Sequence, residues 1–276
     1  MLWKTHAHTF DLAKRGLVMG VLNVTADSFS DGGQFFKIDA AIAHGRQMAA
    51  EGADIIDIGG ESTRPGAKPV PKEEELRRVL PVIEALAGDP RIIISIDTMK
   101  PGVAAAAVAR GAQIINDVRG FRDEAMREIA RETGAGAIAM HMQGSPETMQ
   151  TAPHYENVVG EIRDFFRQTL ASCLRSGMDP DRIAFDPGIG FGKTLEHNLT
   201  LLRNLALLQV EGRPLAVGVS RKSFLGKLLG STAPEDRAWP TVALTSYLRS
   251  GGASIFRVHE VRPNAEALRM TEAILT

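Results

Sequence analysis

The stretch Ile92-Ile93-Ile94-Ser95-Ile96-Asp97, followed by a helix-compatible segment over residues 101–110, decides the fold. Side chains alternate along a strand, so Ile92, Ile94 and Ile96 share one face while Ser95 and Asp97 share the other, with Asp97 at the strand's end. A β-rich apolar run leading into a helix is one βα unit, and its recurrence marks a parallel sheet.

The unit recurs on both sides of this stretch. Strand runs are expected at residues 18–24, 54–58, 92–97, 113–118, 137–141, 183–186, 215–219 and 254–259. Helices are expected at 39–50, 73–86, 101–110, 123–132, 157–175, 197–208, 222–229 with 241–249, and 264–275. Eight such pairs, with no spare strand for another domain, predict an α/β protein: a single (β/α)8 TIM barrel over residues 1–276, with residues 1–16 as a cap at the barrel bottom. Three long loops, residues 26–37, 62–72 and 144–156, follow strands and so lie on the C-terminal face as candidate lids.

Composition narrows the function. With 32 Lys+Arg against 33 Asp+Glu, the net charge of -1 provides no global field for nucleic acid or an anionic membrane, so any anion needs a local site. The one cysteine, Cys173, cannot form an internal disulfide, and no CxxC or HExxH spacing offers a zinc site. No segment has the length and apolarity of a membrane span, and the opening residues lack the apolar run of a signal peptide, so a cytoplasmic location is expected.

Strand parity then selects the candidate site residues. Asp97, Asn116 and Asp186 end their strands facing the barrel mouth. One such carboxylate alone is adequately explained as a loop or helix cap. Three polar groups at matched strand ends suit a flat heterocycle that presents several N–H donors. On the last strand Arg257 and His259 share the inward face, where two basic groups call for an anion; the alternative is an ion pair from Arg257 to Asp97 or Asp186. Ser220-Arg221-Lys222-Ser223 puts basic residues at a helix start, where they oppose the macrodipole by roughly 0.3–1 kcal/mol each; Lys222 and Ser220 serve a ligand there, or the basic pair is simply exposed and solvated. Gly188-Ile189-Gly190-Phe191-Gly192-Lys193-Thr194 resembles a phosphate loop only superficially, because Pro187 stands where the first glycine is required.

Several segments together resemble the dihydropteroate synthase family of pterin-binding barrels. They are Met19-Gly20-Val21-Leu22-Asn23-Val24-Thr25 with Asp27-Ser28-Phe29-Ser30-Asp31-Gly32-Gly33, and Asp57-Ile58-Gly59-Gly60-Glu61-Ser62-Thr63-Arg64-Pro65-Gly66. Ile96-Asp97-Thr98, Ile115-Asn116-Asp117, Met140-His141-Met142-Gln143-Gly144, the run from Asp186 to Lys193, Ser220-Arg221-Lys222-Ser223 and Arg257-Val258-His259 complete the set.

The resemblance implies a transferase of folate biosynthesis, a sulfonamide target, that joins 4-aminobenzoate to a dihydropterin methyl pyrophosphate. It implies pterin binding by Asp97, Asn116, Asp186 and Lys222, with Met140 and Phe191 lining the pocket and Arg257 stacked on the ring. Asn23, Arg257 and His259 would hold the pyrophosphate, with Asn23 also a ligand of Mg²⁺. Phe29, Thr63, Arg64 and Pro65 would lie on the first two lids, and Ser220 with Lys222 would shape the aminobenzoate site. A homodimer is implied as well. Ala26 departs from the family, which usually has proline there, and this bears on the stiffness of the first lid. The rival reading is a methyltetrahydrofolate-binding barrel of a corrinoid methyltransferase, against which the 61–66 and 220–223 segments argue.

Overall fold

The computed structural model of the protein describes residues 1–25, 34–64, 66–231, 233 and 235–275, the side chains of residues 34–37 excepted. The chain opens with an antiparallel hairpin, β1 (Leu2–Lys4) and β2 (Thr9–Asp11), in which Leu2 pairs with Asp11. The hairpin is the expected cap. Trp3 is fully buried against the lower barrel interior, and its indole donates to the Arg182 carbonyl at 3.0 Å. Lys4 pairs with Asp181 at 2.8 Å. An indole that buries its rings and satisfies its N–H is well suited to close a barrel floor.

Eight parallel strands follow: β3 (Leu17–Asn23), β4 (Ile55–Gly59), β5 (Ile93–Asp97), β6 (Ile114–Asp117), β7 (Gly136–Met140), β8 (Ile183–Asp186), β9 (Ala216–Val217) and β10 (Ile255–Val258). They pair in chain order, and β10 also pairs with β3. The last seam, between β8 and β9, is closed by a parallel bridge from Phe185 to Leu215 and by Phe185 N–H donating to Pro214 O at 2.9 Å. The sheet is therefore a barrel.

Helices α1 (Gln34–Ala50), α2 (Lys72–Ala87), α3 (Pro101–Val108), α4 (Glu124–Thr133), α5 (Val158–Arg175) and α6 (Leu195–Arg203) cover it between strands. Two helices, α7 (Ser223–Leu229) and α8 (Ala238–Ser250), follow β9, and α9 (Val261–Leu275) ends the chain. Local chemistry sets several boundaries. Asp123 caps α4 by accepting from Ala125 N–H at 3.0 Å, and Gly134 ends it in the left-handed region.

Strand parity divides the core in two. Val18, Ile56, Ile94, Ile96, Ile115, Phe185, Phe256 and Val258 pack outward against the helices. Met19, Ile55, Ile93, Ile114, Ile138, Ala184, Ala216 and Ile255 point inward and fill the lower barrel. Two residues further along, five of these eight inward positions are polar: Asp57, Ser95, Asn116, Asp186 and Arg257. A floor of apolar side chains thus carries a layer of charges and amides beneath the C-terminal mouth.

On the outside, Trp239 and Tyr247 of α8 are 77% and 52% exposed, and Met270 and Ile274 of α9 are 64% and 79% exposed. Because α8 packs on α9, these residues mark an apolar surface on two neighbouring helices.

Candidate active site

The inward polar layer is built from Asp57, Ser95, Asp97, Asn116, Asp186 and Arg257, each placed by register. Asp57 pairs with Ser95, Gly59 with Asp97, and Asp97 with Asn116. Arg257 reaches across from β10: its Nε donates to Asp57 Oδ2 at 2.6 Å and its Nη2 to Asp97 Oδ2 at 2.7 Å. The ion pair weighed as the alternative for Arg257 is formed with Asp97 and not with Asp186, and Asp57 is a second partner.

Two carboxylates beside one guanidinium hold the arginine's basicity above its ordinary value despite burial. Burial pushes the Asp97 carboxyl up, against the pull of Arg257. Asp97 Oδ1 is buried without a hydrogen-bond partner, as are Asp57 Oδ1 and Ser95 Oγ. An orphaned carboxylate oxygen at a barrel mouth is costly unless a ligand donates to it.

Asp186 faces the mouth from β8 and is also pushed up by burial, opposed first by the Gly188 N–H that donates to its Oδ1 at 2.7 Å. The turn after it depends on glycine: at Gly188, with φ of 66°, an added Cβ would lie 1.9 Å from the His141 carbonyl. Phe191, on this turn, joins Met140, Met142, Val118 and Met149 in a small apolar cluster at the mouth. Lys222 Nζ lies 3.9 Å from the Phe191 ring centroid. Burial first, and Arg257 second, push the Lys222 ammonium down.

Around His259 the field is cationic. Burial and then Arg257, Arg221, Lys222 and Arg64 push its imidazole down to about 3, with Arg221 itself paired to Glu260. A site with this many cations and one neutral imidazole favours an anion. The Ser220 hydroxyl accepts from the His259 backbone N–H at 3.1 Å and lies 2.9 Å from the ring Nδ1, and this second contact orients the imidazole. Asn23, at the top of β3, pairs in register with Gly59. A Cβ on Gly59 would sit 3.7 Å from Asp97 Oδ2 and 3.9 Å from Asn23 Oδ1, so the missing side chain leaves these oxygens facing a shared space.

The second long loop is anchored at its root: Arg78 donates to Gly60 O at 2.9 Å, and Lys100 pairs with both Glu61 and the fully buried Glu75. Further out, Arg64 is exposed, Thr63 is partly buried, and Gly66 N–H donates to Pro146 O at 3.2 Å. Phe29, Pro65 and Ala26 lie outside the described residues. The third loop is fastened down, because Tyr155 OH donates to Gly192 O at 2.9 Å and Gln150 to Gly190 O at 2.7 Å.

Similarity to known proteins is extensive. The family described as pterin binding enzyme matches residues 19–259. The dihydropteroate synthase of Escherichia coli (strain K12) is 47% identical over 259 residues, spanning 94% of this chain and 92% of the relative. The chain belongs to the dihydropteroate synthase family. The solved Yersinia pestis dihydropteroate synthase, in a sulfonamide drug complex, superposes with a TM-score of 0.93 at 43% identity, covering 100% of this chain and 99% of that one. The Xanthomonas albilineans dihydropteroate synthase with 4-aminobenzoic acid gives 0.93 at 42% identity, covering 100% and 98%.

Within a dihydropteroate synthase barrel, two buried groups were not singled out by sequence. Asp57 stands alone among isoleucines in Ile55-Ile56-Asp57-Ile58, and that lone charge in an apolar run was the available signal. Lys193 donates to Phe191 O at 2.9 Å and lies 3.1 Å from His141 Nδ1. Burial pushes Lys193 down to about 7, and burial with its neighbouring cations pushes His141 down to about 2. His141 is thus a satisfied core histidine behind the pocket.

Proposed function

We propose that this chain condenses 6-hydroxymethyl-7,8-dihydropterin pyrophosphate with 4-aminobenzoate, giving 7,8-dihydropteroate and pyrophosphate. The observation that carries this reading is the juxtaposition of acceptor groups, Asp97, Asn116 and Asp186, with the cationic surroundings of His259. A pterin ring carries N–H donors at one edge, and its pyrophosphate is the anion that such surroundings favour.

The ring is held by Asp97, Asn116, Asp186 and Lys222 against Met140 and Phe191, with Arg257 along its face. Arg257, His259 and Asn23 hold the pyrophosphate. When the CH2–O bond breaks, positive charge spreads into the ring, and the two buried carboxylates stabilise it. Arg257 meets the negative charge on the leaving group. The amine of 4-aminobenzoate then attacks the methylene carbon and loses a proton, with Lys222 and the backbone near Ser220 holding its carboxylate. Thr63 and Arg64 of the second loop help exclude water, which would otherwise trap the cation-like carbon.

The donor set fits Mg²⁺. Asn23 Oδ1 is a hard oxygen beside Asp97, and this ion is commonly bound by one or two protein oxygens together with substrate phosphates. Bound there, it would supply charge neutralisation to the pyrophosphate. The apolar faces of α8 and α9 support a homodimer. Among the described residues no helix is long and apolar enough to cross a membrane, and the buried, unpaired Cys173 accords with a reducing cytoplasm.

Incubation of purified protein with the pterin pyrophosphate, 4-aminobenzoate and Mg²⁺ should give equimolar dihydropteroate and pyrophosphate. Binding without turnover would contradict the reading, and methyl transfer to a cobalamin acceptor would favour the rival one.

A further inference from the structure

Asp57 is a buried charge inside the barrel. It is fully buried on β4, one inward-facing step below the level of Gly59, Asp97 and Asn116. A single oxygen, Oδ2, accepts both from Arg257 Nε at 2.6 Å and from Asn116 Nδ2 at 3.1 Å. A carboxylate already bound to a guanidinium offers lone pairs and no proton. The end of the Asn116 amide that faces it must therefore be the NH2 group.

This fixes an otherwise ambiguous side chain. An amide can present either a donor or an acceptor, and only its partner decides which. With Nδ2 drawn down toward Asp57, Asn116 Oδ1 is turned toward the mouth, alongside Asp97 and Asp186. The same contact sets the plane of Arg257, because Nε and Nη2 are both committed to carboxylates and Nη1 is directed elsewhere.

We propose that Asp57 is a positioning residue that sets ring specificity: by holding the amide of Asn116 and the guanidinium of Arg257 on one oxygen, it makes Asn116 present its carbonyl oxygen, an acceptor, to the ring. The pocket then favours a heterocycle that places an N–H donor opposite Asn116 and rejects an isosteric ring that places an acceptor there. This rests on the reading that Asp97, Asn116 and Asp186 hold the ring.

The test compares Asp57→Asn, which keeps volume and removes the obligate acceptor, with the wild type and with Asp186→Asn. Dissociation constants are measured by calorimetry for a 2-amino-4-oxopteridine and for an isosteric pteridine carrying an acceptor at the Asn116-facing position, and for each in an Asn116→Ala background. In the wild-type background, Asp57→Asn should weaken the first ring by about tenfold or more and narrow the preference between the two rings. It should raise KM for the pterin pyrophosphate while leaving KM for 4-aminobenzoate unchanged. In the Asn116→Ala background the preference between the rings should not respond to Asp57→Asn.

An unchanged ring preference in Asp57→Asn, while Asp186→Asn loses the ring, overturns this inference and leaves the site reading standing. If Asp186→Asn also binds the ring normally, the site reading itself falls. Should Asp57→Asn not fold, Asp57→Ser carries the same comparison. Loss of stability with the ring preference retained in Asp57→Ser means a structural role only and refutes the proposal.

Discussion

The ammonium of Lys222 rests 3.9 Å from the centre of the Phe191 ring, so the flat wall of the pocket and its one buried cation from the β9 loop are a single unit. Among the described residues Lys222 makes no ion pair within 4 Å, so its charge is held by the ring and the more distant carboxylates. Lys222→Ala should therefore lower kcat/KM by about a hundredfold or more while the fold survives. Steady-state kinetics beside a thermal melt check this, and near-normal turnover would discard the role.

Arg257→Ala should behave differently. It leaves Asp57 and Asp97 as unpaired buried carboxylates, at a cost of about 3–5 kcal/mol on the scale of broken buried ion pairs. Urea denaturation should show that loss alongside the loss of activity. A melt like that of the wild type would mean that the two carboxylates have another partner.

Gly188→Ala should fail for a steric reason. Its Cβ would meet the His141 carbonyl at 1.9 Å with the backbone at φ 66°, so a loss of at least about 2 kcal/mol is expected, and the pocket turn should shift. Denaturation midpoints for this variant and for Gly212→Ala, where no atom lies within 4 Å of the added carbon, separate the clash from the φ strain that both share.

Lys193 makes stability depend on pH. In the unfolded chain its amine has the ordinary lysine value of 10.5; in the fold burial brings it to about 7. Between these values the unfolded chain binds a proton that the folded chain does not, so this residue makes stability rise as pH increases from 7 to 10. The stability of wild type minus that of Lys193→Met should increase over that window. A flat difference in denaturant titrations would show that the buried amine keeps its ordinary affinity for protons.

Much of this architecture was legible because a barrel strand sorts its side chains by parity. Ile92, Ile94 and Ile96 do face the helices, and Arg257 does join Asp97 and, through Asp57, Asn116 in one hydrogen-bonded network. The N-terminal hairpin was read only as a cap, since two three-residue strands carry no usable period. Asp57 escaped because its chemistry appears only when β4, β6 and β10 are brought together. Lys193 sat in a glycine-rich stretch read as a failed nucleotide loop, while its partner His141 lies 52 residues earlier in the chain. The apolar faces of α8 and α9 were missed because Trp239 lies before the helix expected at 241–249, and only burial shows which side Tyr247, Met270 and Ile274 occupy.

The most direct test is a crystal structure of the protein with the pterin pyrophosphate and Mg²⁺. The ring edge should lie within hydrogen-bonding distance of Asp97, Asn116 and Asp186, with the pyrophosphate against Arg257, His259 and Asn23. Density for the ligand at the opposite rim, near the Trp3 hairpin, or on the outer helices would contradict the account.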